Sequence, residues 1–332
     1  MRVLIVKLSS LGDVVQTLPV VHDLLTHVDG VTVDWVVEEG FAPLLGEVLG
    51  IERIVPIALR RWRRHPFDAG TRREWRAFRD DLQREPYAAV IDGQGLVKSA
   101  LVARWARLTP RGHRYTYANA SELCGYEWPV RYMVDRPLPM ERRVHAVRRT
   151  RLLAAQALGY DIGSTPPRVD WRFPPPQAHG RDVLFAHGTT RPDNEWPEAD
   201  WIATGRRLAA EGFRILLPQA GAAEAVWVQR VAGTLGGAAE VLPPMKLDQL
   251  ALRMAACAGV IGVDSGLSHL AVALDLPHVQ IFSQPRVWRA GPVGSAYQLP
   301  VGGERAPPVD AVWAAWQQVW AARPLAGGAA AT

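Results

Sequence analysis

The feature that most constrains this chain is a repeated alternation of two hydrophobic periods. Short runs of β-branched and aliphatic residues at 2–8, 31–37, 51–57 and 88–92 alternate with helical patterns near 41–49, 70–85, 96–107 and 144–158. Runs of that length, apolar on both faces, suit strands covered by helices on either side of a sheet. Strands so separated are expected to be parallel and joined by right-handed crossovers. The alternation restarts at 183–187 and continues through 214–217, 240–242, 260–263 and 278–282, with helical patterns at 197–211 and 309–322. Between the halves lies a proline-rich stretch, 163–177, which suits an extended linker. The reading is α/β, with domains at 1–165 and 178–332 facing each other across a cleft, a favoured ligand site. The last helix is free, in this reading, to pack back on the first domain. Its stripe of Trp313, Trp316 and Trp320 is expected to pack into the fold.

At 48% apolar and 21% charged, the 332 residues have the composition of a folded, water-soluble protein. The apolar run at 3–6 is too short for a leader, and none is long enough to span a bilayer, so a cytoplasmic location is expected. Two cysteines, Cys124 and Cys257, in unrelated contexts indicate neither a disulfide framework nor a thiolate zinc site. The net charge of +5 is carried by one half: residues 1–165 hold 24 Lys+Arg against 19 Asp+Glu, and 166–332 hold 14 against 14. An anionic partner is therefore expected at the first half. Arg60, Arg61, Arg63 and Arg64 form its focus, followed by Arg72, Arg73, Arg76 and Arg79 at the spacing of a helix face. Apart from Trp62 its aromatics are not interleaved in the manner of a stacking platform, which favours a phosphate-bearing substrate over nucleic acid.

In open α/β sheets ligands sit beyond the carboxyl ends of the strands. The first such loop, Ser9-Ser10-Leu11-Gly12-Asp13, puts a carboxylate in the first turn of a helix, where it serves as a cap or as a site. Asp264-Ser265-Gly266-Leu267-Ser268-His269 opens a helix whose free N–H groups suit a phosphate, or is an ordinary capped start with His269 packed inside. Thr189, Thr190 and Arg191 add hydroxyls and a cation at another strand end, and together these loops favour an anion site. Neither 6–13 nor 183–197 holds G-x-G-x-x-G, and Gly93-Gln94-Gly95 is a partial match, which ranks a nicotinamide oxidoreductase last. There is no HExxH, G-x-S-x-G or zinc-spaced set, so nothing calls for a metal.

Five separated segments closely resemble the ADP-heptose:lipopolysaccharide heptosyltransferases, in particular those of the first transfer. They are Lys7-Leu-Ser-Ser-Leu-Gly-Asp-Val-Val-Gln-Thr-Leu-Pro19, Asp34-Trp-Val-Val-Glu-Glu-Gly-Phe41, Ile57-Ala-Leu-Arg-Arg-Trp-Arg63, Ile91-Asp-Gly-Gln-Gly-Leu-Val-Lys-Ser99 and Val263-Asp-Ser-Gly-Leu-Ser-His-Leu270. The resemblance implies two Rossmann-like domains of the GT-B glycosyltransferase type. It implies inverting, metal-independent transfer of L-glycero-D-manno-heptose from ADP-heptose, a substrate and not a cofactor, to Kdo of Kdo-lipid A. Asp13 would be the general base. Thr189, Thr190, Arg191, Glu224, Met245, Asp264, Ser265, Gly266, Leu267 and His269 would hold the donor. Ser10, Gly12, Arg60, Arg61, Arg63, Arg64, Gln94 and Lys98 would hold the acidic acceptor. An amphiphilic acceptor implies transient contact with the cytoplasmic face of the inner membrane, and no nucleic acid. Three segments depart from the pattern. Asn194 stands where members often carry a lysine; Ser283-Gln-Pro-Arg-Val-Trp-Arg289 replaces a Gly-Pro-Thr-Asp-Pro segment; and 115–131 is unlike the expected acceptor loop. Arg191, Lys246, Arg286 and Arg289 are the candidate replacement cations. A heptosyltransferase of a later core step, or a decayed nucleotide-sugar-binding protein, is the alternative.

Overall fold

The computed structural model describes residues 1–174 and 180–324. The end of the expected linker (175–177), the expected start of the second domain at 178 and the terminus 325–332 lie outside the described residues. The chain forms two compact units, Met1–Arg172 and Phe173–Thr332.

The first unit is built on strands β1 (Arg2–Val6), β2 (Thr32–Glu38), β3 (Ile51–Ile57), β4 (Tyr87–Asp92), β5 (Leu108–Tyr117) and β6 (Arg136–Leu138), in the order β3-β2-β1-β4-β5-β6. The second unit uses β7 (Asp182–Ala186), β8 (Arg214–Leu217), β9 (Ala239–Val241), β10 (Gly259–Val263), β11 (His278–Phe282) and β12 (Gln298–Gly302), in the order β12-β11-β10-β7-β8-β9. All neighbouring strands are parallel. Read from the other edge, the second order repeats the first: each unit winds outward from its first strand one way, then returns beside it and winds the other way. Each sheet thus has one topological switch point, between β1 and β4 and between β7 and β10, where the departing loops diverge and leave a crevice.

The central strands are apolar on both faces because helices cover both: Val3, Leu4 and Val6 in β1 and Val183, Leu184 and Phe185 in β7 are fully buried. Three strands carry no such signal. β5 is polar along most of its length, and β6 and β12 are edge strands holding Pro137 and Pro300, which an edge tolerates because one side needs no ladder bond. Leu11–Val15 and Pro19–His27 are two separate helices, although Val14, Leu18 and Val21 keep helical spacing across the break. Pro19 lacks the N–H that would continue the first helix and instead occupies the first turn of the second.

The expected linker begins as part of the first unit. Leu49 N–H donates to Asp170 O and Arg172 N–H to Glu47 O, each at 2.8 Å, and His22 Nδ1 lies 2.6 Å from the Asp170 carboxylate. The last helix, Val309–Ala322, packs on the sheet of its own unit. Val312, Trp316 and Val319 are fully buried against a core that includes Phe213, Ile261 and Ile281, and Trp316 stacks on Trp320. The helices Glu198–Ala210 and Ala222–Leu235 bury Trp201, Leu208, Val228 and Val231 in the same core, so the tryptophan stripe turns inward to complete it.

A buried ion pair ties the first unit together. Arg151 of the helix Ala146–Leu158 makes a bidentate pair with Asp23 of Pro19–His27 at 2.7 and 2.8 Å, and its third nitrogen donates to Thr165 O. Removing one partner leaves an uncompensated buried charge. Asp23→Ala is therefore expected to cost about 3–5 kcal/mol, and Asp23→Leu/Arg151→Met distinctly less. Urea unfolding of the three proteins checks this ordering.

Candidate active site

At the first unit's switch point the loops after β1 and β4 are bonded to one another. Lys7, only 6% exposed, donates from Nζ to Gly93 O at 2.8 Å. Burial pushes the Lys7 ammonium below its ordinary pKa; Asp13 and Asp92 oppose that, and Arg149 adds to it. Both ends of the buried Gln94 amide are used, accepting Leu8 N–H and donating to Ser9 O, each at 2.9 Å. Gln94 therefore fixes the course of the loop that leads to Ser10. The partial glycine motif is a turn closed by Asp92, whose Oδ1 accepts Gln94 N–H at 3.0 Å and Gly95 N–H at 3.2 Å. Burial pushes the Asp92 carboxyl up to about 6, against the pull of Ser99, these two amides and Lys7.

Asp13 is the third residue of Leu11–Val15 and is half-buried. Its Oδ2 accepts Ser10 Oγ–H at 2.8 Å and Ser10 N–H at 3.2 Å, a reciprocal cap. Cap and site are thus compatible: the carboxylate is held at a helix start and still reaches solvent at the sheet's carboxyl edge. Lys98, exposed, sends Nζ to within 3.4 Å of Ser9 Oγ. The short helix Leu59–Trp62 brings the arginine cluster to the end of β3, on the same edge. Arg61 is paired with Glu39 and Glu74 at 3.0 and 2.8 Å, and Arg60 lies over the Phe41 ring, while Arg63 and Arg64 are exposed. The net positive charge there rests on Arg60, Arg63 and Arg64.

At the second switch point the loops after β7 and β10 meet around Asp264. His269 Nε2 lies 3.3 Å from its Oδ1, and the Asn194 amide donates to its backbone oxygen at 3.1 Å and to Oδ2 at 3.3 Å. Burial alone would raise the Asp264 pKa; the hydrogen bond and charge of His269, with Arg289 and Arg191, outweigh it and hold the carboxyl below its usual range. Asp264 is thus a fixed anion that orients its surroundings. Ser265 starts the helix Gly266–Ala273, leaving that helix's first N–H groups facing the crevice. Ser265 Oγ and Arg289 Nε are buried without a hydrogen-bond partner among the described residues. Close approach is enforced at Gly262, where a Cβ would lie 2.4 Å from Ser268 Oγ and 2.6 Å from Ala186 Cβ.

Glu224, in the first turn of Ala222–Leu235, accepts Ala220 N–H at 2.6 Å and reaches the loop after β7, where a Cβ on Gly188 would meet its Oε1 at 2.2 Å. Thr189 Oγ1 accepts Arg191 N–H at 3.2 Å, which shapes the hydroxyl-bearing turn. Met245 is half-buried just before the helix Leu247–Ala255, and Leu267 is half-buried in the helix after β10. Arg286 pairs with Asp193 at 3.3 Å, and Lys246 is exposed, so Arg191 and Arg289 are the cations that act on Asp264. Sequence reading passed over Lys7, Asp92 and Arg149, all buried at the first crevice. The available signal was an ionisable residue ending an apolar strand run, as at Lys7 and Asp92. No group of three or more His, Cys, Asp or Glu among the described residues is placed to hold a metal ion.

Burial lowers His187 and His278 to about 4 from an ordinary 6.5. The folded chain therefore resists protonation that the unfolded chain accepts between those values. Stability contributed by each neutral histidine is complete above 6.5, falls as pH drops through the window, and changes no further below 4. At full effect each is worth about 3 kcal/mol at most; raised Asp92 acts in the opposite sense over part of the same range. Thermal unfolding from neutral pH downward is expected to show a falling midpoint, with a shallower slope for His278→Gln.

Comparison with known proteins places these features in a family. The model of glycosyltransferase family 9 (heptosyltransferase) matches residues 75–307. The lipopolysaccharide heptosyltransferase 1 of Escherichia coli (strain K12) is 41% identical over 289 residues, 85% of this chain and 88% of that protein. The protein of the same name from Pseudomonas aeruginosa is 37% identical over 310 residues, 92% of this chain and 84% of the relative. Among solved structures, E. coli heptosyltransferase WaaC with ADP superposes with a TM-score of 0.85 at 37% identity, covering 96% of this chain and all 100% of that one. E. coli ADP-heptose lps heptosyltransferase II shares the fold, with a TM-score of 0.73 at 19% identity over 97% of this chain and 99% of that one. Duplicate parallel sheets of one topology, each with a polar crevice at its switch point, are thus the frame of a known enzyme class, and the chain belongs to glycosyltransferase family 9, the heptosyltransferases.

Proposed function

We propose that this glycosyltransferase moves L-glycero-D-manno-heptose from ADP-heptose to Kdo of the lipopolysaccharide inner core, with Kdo-lipid A as acceptor. The observation that carries the mechanism is Asp13, a half-exposed carboxylate clamped by Ser10 at the mouth of the first unit's crevice. The acceptor hydroxyl oxygen attacks the anomeric carbon as its proton passes to the Asp13 carboxylate. The bond from that carbon to the ADP oxygen breaks, and ADP leaves with the electron pair. One displacement inverts the anomeric configuration. Ser10, Gly12, Arg60, Arg61, Arg63, Arg64 and Lys98 receive the acidic acceptor, with Gln94 holding the loop that carries the first two.

The second unit takes the donor. Thr189, Thr190, Arg191, Asp264, Ser265, Gly266, Leu267 and His269 surround the diphosphate and heptose, and Glu224 and Met245 the adenosine. Charge growing on the departing diphosphate is met by the amides that open Gly266–Ala273 and by the guanidinium groups of Arg191 and Arg289, so the mechanism calls on no metal. Asn194 is taken up by Asp264, which leaves the cationic role to those arginines. The donor assignment is supported by the solved relative titled E. coli heptosyltransferase WaaC with ADP-2-deoxy-2-fluoro heptose, 36% identical with a TM-score of 0.79, covering 95% of this chain and 98% of that one. The first-transfer acceptor is supported by the names of the relatives at 37–41% identity. A lipid-anchored acceptor places the enzyme peripherally at the cytoplasmic face of the inner membrane.

Asp13→Asn is expected to lower kcat by about 10²–10⁴-fold while leaving ADP-heptose affinity unchanged. ADP release with mass detection of product, together with calorimetric titration of the donor, checks both halves. Loss of donor binding as well would contradict the assignment. Arg289→Ala is expected to weaken ADP-heptose binding by about 10–100-fold, the usual worth of a charge-assisted hydrogen bond. Partial recovery in Arg289→Ala/Asn194→Lys, read by the same titration, would tie the loss to charge.

A further inference from the structure

An aromatic pair on the first unit is exposed where side chains of its size are normally buried. Trp128 and Tyr132 are 69% and 68% exposed and meet edge to face at 6.2 Å. They flank the 3-10 turn Trp128–Tyr132, which is pinned by the fully buried Val130. Arg131, between them in sequence, lies 4.9 Å over the Tyr132 ring. The turn is anchored at the candidate site. Glu127 N–H donates to Gly95 O at 2.9 Å, and the Glu127 carboxylate accepts Val97 N–H at 2.6 Å. The helix that begins there, Val97–Trp105, packs against the turn and buries Ser99, Ala100, Val102 and Ala103. Its exposed face carries Lys98, Leu101 and Arg104, three residues apart.

We propose that this surface, Trp128 and Tyr132 with Leu101, Lys98, Arg104 and Arg131, is where the first unit rests on an anionic phospholipid bilayer. The inference rests on the reading of a lipid-anchored acceptor and names the face that meets its membrane. Indole and phenol rings settle at the headgroup level because one end is apolar and the other hydrogen-bonds. Lysine and arginine beside them are drawn to lipid phosphates. Among the described residues no helix is long and apolar enough to cross a membrane, so contact by those residues is made by a surface. A second copy is disfavoured as occupant, since a two-fold contact would set three cations against three. Lys98 belongs both to this face and to the loop of Ser9, so a bilayer here presents its headgroups beside Asp13.

The test is sedimentation of the whole chain with phosphatidylcholine vesicles, with and without phosphatidylglycerol. Wild type is expected to sediment only with the anionic vesicles. Trp128→Ser/Tyr132→Ser and Arg104→Glu/Arg131→Glu are each expected to lose partitioning by about tenfold or more. Both should retain ADP-heptose affinity and turnover on a water-soluble Kdo acceptor, which shows that they are folded. Wild type that stays in the supernatant, variants that sediment like wild type, or an aromatic variant that halves the mass seen by light scattering would each overturn the proposal. Anionic sedimentation that both variants lose upholds the surface even where no Kdo acceptor is used, so failure of the functional reading is told apart.

Discussion

A buried lysine at the end of the first strand governs the first unit's site. Lys7 has left water, and a buried polar group is tolerated only with compensating partners. It takes them from two loops at once: the carbonyl of Gly93, the carboxylate of Asp92, and the charge of Asp13. Loops that the topology sends to opposite faces of the sheet are thereby drawn together. Gln94 adds the second tie, using both ends of its amide on Leu8 and Ser9. The position of Ser10, and through it of Asp13, follows from these bonds more than from the five-residue helix in which Asp13 lies.

The two units repeat one topology and fill its switch points with different chemistry. In the first, the carboxylate of Asp13 caps its own helix and is half-exposed. In the second, Asp264 is buried and surrounded by donors and cations, which keep it ionised and fixed. Under the proposed function, the neighbouring amides and arginines are the groups that meet the donor's diphosphate. The two carboxylates differ in burial and partners, not in residue type.

Much of this was legible in the chain because burial on both faces leaves a plain mark. The apolar runs of β1, β2, β3, β4, β7, β8, β9, β10 and β11 could be read directly, and their alternation with helices implied parallel sheets. β6 and β12 could not, since an edge strand needs neither two apolar faces nor a full set of N–H donors, and β5 could not because it is polar along most of its length. The break at Pro19 was hidden by helical spacing that continues across it. Asp13 and the Asp264 loop were visible as small polar residues following apolar runs. Lys7 was not, because a lysine ending a strand normally lies in solvent, and only the loop from the other side of the switch point shows that it does not. Likewise the arginine run read as a uniform basic cluster, whereas Glu39 and Glu74, distant in sequence from one another, take up Arg61. Asn194 read as a loss; in the fold it is a ligand of Asp264, and Arg289, far along the chain, supplies charge at that site.

The proposed transfer is a single displacement with Asp13 as the proton acceptor. The anomeric configuration of the transferred heptose, read by proton NMR of the product formed from ADP-heptose, tests it most directly. A configuration opposite to that of the donor is the predicted result. Retention of the donor's configuration, or a heptose left covalently on the enzyme, would contradict it.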